Sequence, residues 1–448
     1  MPALLALPSL PPPPVIVTAI LAGAVALFFC LGAFAFGALV KGCLVLRHKS
    51  RTGSLEDTAI LLKSPLVPAA SVLAVASECS PEARDFVRLL LDLHYGNHEV
   101  VLVLDGPTPE ALEDWTREFR LRPSPRTAPP ALPGADVRRI FESTDPIRLV
   151  AVLKEKGGRA DSLNVGVNAS TAPIIALVDP DSEFEPTLLL RLIRPMLENP
   201  EQTLAVCGVA PPPPVDTIAG RIGALELLRT SLARCAAFEG WKMVVPVPGA
   251  GVLVRRETLI EVGGFVAGPL ELVLHLHGRA RAAGKPYRID LVAEPVCRAR
   301  TPRSLADLRR LALRDQRDIA RAWSFRKRIA GGKNAIGWGL RGLVCARFLW
   351  PLLETSALAL AVAALGGAAL VRGLVDVPLA GAVLVSTAGT GIILSMAAVV
   401  FRELTVYEGS DPGRLARLFF ASVPENLGYR QLRNLWLLAG IAGRGREK

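Results

Sequence analysis

Apolar residues in this chain follow two different patterns. Residues 15–40 form an unbroken uncharged stretch, with Lys41 the first charged side chain. Two further stretches, 348–371 and 377–401, carry only Glu354 between them. A bilayer core about 30 Å thick needs about 20 helical residues, so each is long enough to span one. From 71 to 208, by contrast, short apolar runs alternate with helical periodicity. Runs at 71–77, 99–104, 137–141, 174–178 and 203–208 predict buried strands. Helices are predicted around Phe86, Val87, Leu90 and Leu91, and over 108–121, 160–170 and 186–198, the last with a possible kink at Pro195. This alternation predicts an α/β unit with a mostly parallel sheet, whose ligands bind where loops leave the carboxyl ends of the strands.

Charge orients the apolar stretches. Lys41, Arg47, Lys49 and Arg51 follow the first, Arg341 and Arg347 precede the second, and Arg402, Arg414, Arg417, Arg430 and Arg433 follow the third. A cleaved signal peptide would carry its positive residues ahead of the apolar run, so an uncleaved anchor is the preferred reading. The positive-inside rule then places the amino terminus outside and the α/β unit in the cytoplasm, making the chain a multi-pass protein of the cell (inner) membrane. Three units follow: an anchor at 1–51, a cytoplasmic domain at 52–328 and a C-terminal membrane region at 329–448. Residues 329–347 and 414–421 mix basic and apolar side chains as helices lying in the headgroup zone do.

The 448 residues are 51% hydrophobic and 21% charged, with a net charge of +11. Because that excess flanks apolar spans and accompanies no nucleic-acid motif, it reads as attraction to the lipid bilayer, and no nucleic-acid partner is expected. Seven scattered cysteines without CxxC spacing suggest free thiols. His275 and His277 read as packed or surface histidines, and the proline-rich stretches 123–133 and 211–214 as stiff loops.

Two predicted strands deliver carboxylates to one sheet edge. The run at 99–104 ends in Asp105-Gly106, and that at 174–178 in Asp179-Pro180-Asp181-Ser182. An Asp-x-Asp at a strand end suits a divalent cation shared with diphosphate oxygens, although a turn and helix cap use the same residues. Upstream of the pair stands GGRADSLNVGVN, at 157–168.

That segment, followed by PIIALVDPDSEFEP, resembles the GGKADALNxGIN and DADS segments of membrane-integrated family 2 glycosyltransferases, the group of cellulose, chitin and hyaluronan synthases. The resemblance extends over about 72–432 through RPMLENPEQTLAVCG, PGAGVLVRRETLIEVGGF, ELVLHLHGRARAAGKPYRIDLVAEPVC and PENLGYRQL. It implies a GT-A-like, Rossmann-type domain inserted between transmembrane helices. The implied reaction moves a sugar, with inversion, from a nucleotide-sugar donor, foremost a UDP-sugar, to a glycan or lipid-linked acceptor. Asp105, Arg159, Asp161, Asn164 and Asp179 would meet the donor, Asp179 and Asp181 would hold Mg²⁺ or Mn²⁺, and Gly249, Ala250 and Gly251 would lie on the acceptor side.

The sequence departs from the family pattern on the acceptor side. Gly268 and Pro269 stand where the family has a Glu-Asp pair that supplies the general base, with Glu271 the nearest carboxylate. Counting the QxxRW segment from Pro302 puts Leu311, Arg314 and Asp315 at its Gln, Arg and Trp places; a register five residues later gives Gln316 but Ile319 and Ala320. Glu78-Cys79 replaces an Asn-Glu step, and Pro107 follows Asp105-Gly106. A pseudo-transferase acting as a membrane scaffold or regulator is therefore the alternative. Export of a polymer would need oligomerisation or partners, since three spans enclose only a narrow path.

Overall fold

The structure is a computed structural model describing residues 13–51, 67–144, 148–213, 215–241, 251–266, 268–284, 286–294, 297–329, 341–342, 344–370, 377–405 and 412–443. Its centre is a nine-stranded sheet: β1 (Ala70–Ala76), β2 (His98–Asp105), β3 (Leu121–Pro123), β4 (Val137–Ser143), β5 (Leu149–Lys154), β6 (Ile174–Leu177), β8 (Thr203–Cys207), β9 (Val252–Arg255) and β10 (Arg288–Leu291), in the order β10-β8-β9-β6-β1-β2-β5-β4-β3. Only β4 and β9 run against the others. The mostly parallel sheet expected from the alternation is thus present. A two-stranded ribbon pairs β7 (Ser182–Phe184) with β11 (Cys297–Ala299).

Strand β2, HEVVLVLD, shows why the sheet is covered on both faces. Val101 and Val103 join one apolar cluster while Val100, Leu102 and Leu104 join another, and all five are fully buried. On the second side lie α2 (Pro81–Leu91), α3 (Pro109–Phe119) and α5 (Leu188–Glu198). Helices α2 and α3 begin alike: Ser80 and Thr108 accept the N–H of Ala83 and Ala111, each at 3.2 Å, ahead of a proline at the first helical position. On the first side lie α4 (Arg159–Ala169), α6 (Ile218–Trp241), α7 (Arg256–Glu261) and α8 (Pro269–Ala282). Strand β5 was not among the predicted strands, although its run LVAVLK is apolar and packed on both sides of the sheet.

The first apolar cluster continues into the long helices. Leu39 and Cys43 of α1 (Pro13–Arg51) belong to it, with Ala398 and Val399 of α11 (Val377–Thr405) and Leu418 and Ala421 of α12 (Pro412–Pro424). Small residues permit the approach: a Cβ on Gly32 would lie 2.2 Å from Thr390 Cγ2, and one on Gly42 would lie 2.0 Å from the Leu232 carbonyl oxygen. Among the described residues two helices are long and apolar enough to cross a bilayer, Thr18–Lys49 and Gly381–Thr405. The third expected span falls on α10 (Trp350–Leu370), with residue 371 outside the described residues, as is most of 329–347. Glu354 of α10 is fully buried; Arg430 Nε stands 2.9 Å from its carboxylate and Trp350 Nε1 donates to it at 2.8 Å.

Buried ion pairs tie the sheet domain to the C-terminal helices. Glu226 of α6 accepts from Arg347 at 3.3 Å, from Arg433 of α13 (Arg430–Gly443) at 2.8 Å and from the Tyr429 hydroxyl at 2.9 Å. Asp315 of α9 (Leu305–Ile329) lies 3.0 Å from Arg234 and 2.6 Å from Arg347. Arg229 pairs with Glu425, which also accepts from Ser395 at 2.6 Å. Burial works against a charged Glu226, but Arg433, Arg347 and Arg229 hold its carboxyl down at about 2.

Candidate donor and metal site

Strands β2 and β6 flank β1, so Asp105, the last residue of β2, and the Asp179–Asp181 loop after β6 face one crevice at the carboxyl edge. The chain leaves β1 toward β2 and returns on the other side as β6. Such a reversal opens a crevice between the loops.

Asp105 is held by Lys154, a residue with no motif of its own in the sequence. It ends β5 opposite Asp105 in register and is 1% exposed. Its Nζ lies 2.6 Å from Asp105 Oδ1 and 2.6 Å from Asp161 Oδ1. Asp105 also accepts the N–H groups of Gly157 at 2.8 Å and Gly158 at 3.0 Å, while Asp161 Oδ2 accepts that of Ala135 at 2.8 Å. Burial would raise the Asp105 carboxyl, but Lys154 and these amides hold it below the usual range. A Cβ on Gly157 would sit 2.3 Å from Asp161 Oδ1, and Gly158 adopts φ +87°, so both glycines are demanded by the clamp. Arg159 opens α4 immediately afterwards and is exposed.

Asp179 and Asp181 remain open to ligand. Asp179 Oδ1 accepts the Asp181 N–H at 3.2 Å, and the Asp181 side chain is 58% exposed. The ribbon of β7 and β11 brings Arg300 to 3.6 Å from Asp181, and α9 brings Arg314 to 3.9 Å. Arg314 holds the Arg place of the first QxxRW register, in which Leu311 and Asp315 stand at the Gln and Trp places, so that neither register is intact. Among the described residues no group of three His, Cys, Asp or Glu side chains could hold a metal ion by itself. Two carboxylates fit a hard cation that draws its remaining oxygens from a bound diphosphate.

Other expected site residues are occupied elsewhere. Asn164 is buried, its Nδ2 donating to the Phe265 carbonyl at 3.1 Å and its Oδ1 accepting the Phe265 N–H at 2.7 Å. It braces the turn at Gly263 and Gly264, which have φ +87° and +80°. Gly249 and Ala250 lie outside the described residues. Gly251 accepts the Gly208 N–H at 2.9 Å, and a Cβ there would lie 2.9 Å from Leu192 Cδ1, so close packing against α5 accounts for this glycine. Gln316 is buried and donates to the Leu437 carbonyl at 3.1 Å. Asp315, at the Trp place, is held by the arginines described above.

Glu271 is 2% exposed at the start of α8, where its Oε2 accepts the Gly268 N–H at 2.7 Å and its Oε1 is buried without a hydrogen-bond partner. Burial pushes its carboxyl above the usual range, and the charge of Asp318 adds to this. Asp318, on α9, is half-buried and likewise raised by burial, with Arg314 and Arg321 opposing. Sequence spacing offered one signal for Asp318: it follows Arg314 by four residues and so shares its helix face. His277 is buried, with Nδ1 3.0 Å from the Tyr287 hydroxyl, and burial lowers its pKa to about 3. It is a packed histidine.

Residues 174–401, just over half of the chain, match the family model described as glycosyl transferase family group 2. The chain belongs to this family. The match begins with β6 and runs through the Asp pair, α9 and α11, so one family unit contains both the open carboxylates and the long apolar helix. No curated protein matches the sequence. Among solved structures the group 2 chain resembles a mannosyltransferase from Pyrobaculum calidifontis in complex with GDP-mannose and Mn²⁺. Identity is 19%, 90% of this chain and 99% of that one are covered, and the TM-score is 0.53, which shows a shared fold. Looser overlaps include glucosyl-3-phosphoglycerate synthase from Mycobacterium tuberculosis with Mn²⁺, UDP and phosphoglyceric acid (15% identity, 56% of this chain and 77% of that one, TM-score 0.33) and S. aureus TarS 1-349 (11%, 81% and 91%, TM-score 0.37).

Proposed function

We propose that this chain is a membrane-bound glycosyltransferase that moves a sugar, with inversion, from a nucleoside diphosphate donor, foremost a UDP-sugar, to a glycan or lipid-linked acceptor. The observation that carries the reading is the crevice itself: a clamped Asp105 on one side of β1, and the open Asp179 and Asp181 beside Arg300 and Arg314 on the other. Asp105, which stays part-exposed within its clamp, suits the nucleoside end of the donor. Arg159, Arg300 and Arg314 suit its diphosphate, because guanidinium groups stabilise the negative charge that grows on the leaving group. Asp179 and Asp181 would hold Mg²⁺ or Mn²⁺, which when bound neutralises the diphosphate oxygens. The cation bound by the Pyrobaculum calidifontis relative supports this assignment.

With Gly268 and Pro269 at the family's base place, another carboxylate must accept the proton of the acceptor hydroxyl. Asp318 suits that role. It lies about 6 Å along α9 from Arg314 on the same face, and its raised affinity for protons suits a base. Glu271 supports its neighbourhood, being engaged in the cap of α8. In this reading the chain spans the inner membrane at 15–40, 348–371 and 377–401, and the basic residues flanking those stretches support a crevice on the cytoplasmic side.

The test is transfer from a panel of UDP- and GDP-sugars by the purified full chain, with membrane lipids and oligosaccharides as acceptors and Mn²⁺ or Mg²⁺ present. Metal-dependent transfer supports the reading. Nucleotide binding without turnover of any donor would favour the scaffold alternative, which the loss of the Glu-Asp pair motivates.

A further inference from the structure

Helix α9 brings Arg314 to the Asp pair, and the two residues that follow tie the same helix to other parts of the chain. Its buried face repeats at helical spacing through Leu308, Ala312, Gln316, Ile319 and Ala322. Arg314 lies on the exposed side, 3.9 Å from Asp181. A long exposed side chain keeps much of its rotamer freedom, so the reach of its guanidinium is set by where the helix backbone stands.

Asp315 and Gln316 fix that backbone. Asp315 lies 2.6 Å from Arg347 and 3.0 Å from Arg234. Burial would raise its carboxyl, but the two arginines hold it below the usual range, so the contacts are ionic. Arg234 belongs to α6, and Arg347 to the turn Cys345–Leu349 that leads into α10. Gln316 donates to the Leu437 carbonyl of α13 at 3.1 Å, and a Cβ on Gly440 would lie 2.9 Å from its Oε1, so the glycine leaves room for this approach. Three consecutive residues thus divide their contacts between the Asp pair on one side and α6, α13 and the start of α10 on the other. A tryptophan at the Asp315 place, as in the family pattern, could not form these ion pairs.

We infer that Asp315 is a positioning residue of the donor site: its ion pairs with Arg347 and Arg234 hold α9 where Arg314 meets the donor's diphosphate. The inference rests on the donor part of the proposed function and is independent of its base and its spans. It gives the carboxylate at the Trp place a role, and it makes the C-terminal helices a support of the donor crevice.

The full chain in neutral detergent, with Mn²⁺ present, is titrated with UDP and with uridine; GDP and guanosine are run alongside, and the better-bound pair is used. The nucleoside lacks the diphosphate and reports its own pocket alone. Asp315→Asn keeps the shape and removes the charge. It is expected to weaken the diphosphate about tenfold, the effect of one charge-assisted hydrogen bond, and to leave the nucleoside unchanged. Arg314→Gln does the same, and the double variant loses no more than either single change, because both act through one guanidinium. Glu226→Gln removes a carboxylate from the same network but keeps Asp315; it serves as the control for lost stability and leaves diphosphate affinity unaltered. Unchanged diphosphate affinity in Asp315→Asn, an equal loss for the nucleoside, additive losses in the double variant, or an equal loss in Glu226→Gln would each overturn the inference. Denaturant unfolding checks that every variant is folded. An unfolded Asp315→Asn is replaced by Arg347→Lys, which keeps the cation but not its fork and has the same expected signature, and its absence there would overturn the inference equally. A wild-type chain that binds none of the four ligands would instead remove the donor reading itself, and the inference with it.

Discussion

Lys154 Nζ sits 2.6 Å from Asp161 Oδ1, so a buried cation holds the start of α4 to the sheet at the point where the Gly157-Gly158 loop clasps Asp105. The loop leaves β5 just after Lys154, and its shape depends also on Asp105, contributed by β2. Breaking a buried ion pair by removing one partner costs about 3–5 kcal/mol because the other charge is stranded. Lys154→Met is expected to lower nucleotide affinity at least tenfold and to reduce stability by about 3 kcal/mol. Calorimetric titration with UDP and urea unfolding measure the two effects, and unchanged affinity in a folded variant would separate Lys154 from the donor site.

Asp318→Asn removes the proposed base and retains the shape of α9. Loss of a general base typically slows turnover by about a hundredfold or more. The expected result is a fall in kcat with donor binding preserved, whereas Glu271→Gln alters kcat far less. Equal activity in Asp318→Asn would move the base elsewhere.

Glu226 joins α6 to Arg347 and Arg433. Glu226→Gln leaves these arginines without their shared carboxylate, at an expected cost of about 3 kcal/mol in unfolding free energy. Its folded pKa is depressed to about 2 from an ordinary 4.5. Its stabilisation is therefore full above the unfolded value and is lost as pH falls through about 2. Chemical denaturation of wild type and variant at neutral and acid pH should show a difference that shrinks on acidification.

His277 supplies a second pH effect. In the folded chain it stays neutral down to about 3, while the unfolded chain takes up a proton near 6.5. Stability from this group is present above 6.5 and falls as pH drops toward 3, with a slope of at most about 1.4 kcal/mol per pH unit. His277→Gln, titrated by denaturant unfolding between pH 7 and 4, should flatten that slope.

The parts of this site legible in sequence are those that local pattern encodes. Asp105 and Asp179 end apolar runs, and the sheet edge follows from strand alternation. Lys154 was invisible because its importance lies in register: it is opposite Asp105 only once β5 pairs with β2. Asn164 lies within a donor-like motif, yet its amide is committed to Phe265, a contact across 101 residues of chain. Asp315 shows the same limit, since its arginine partners come from α6 and the turn before α10. Glu354, by contrast, could be read as a costly charge needing a partner, and Arg430 is that partner.

The central claim is that Asp179 and Asp181 hold the cation that makes donor turnover possible. Its most direct measurement is release of nucleoside diphosphate from UDP-sugars by the full chain as Mn²⁺ is titrated, beside Asp179→Ala and Asp181→Ala. The account predicts saturable, metal-dependent turnover in the wild type and a loss of at least a hundredfold in each variant. Turnover that persists in both variants, or proceeds equally well after chelation, would contradict it.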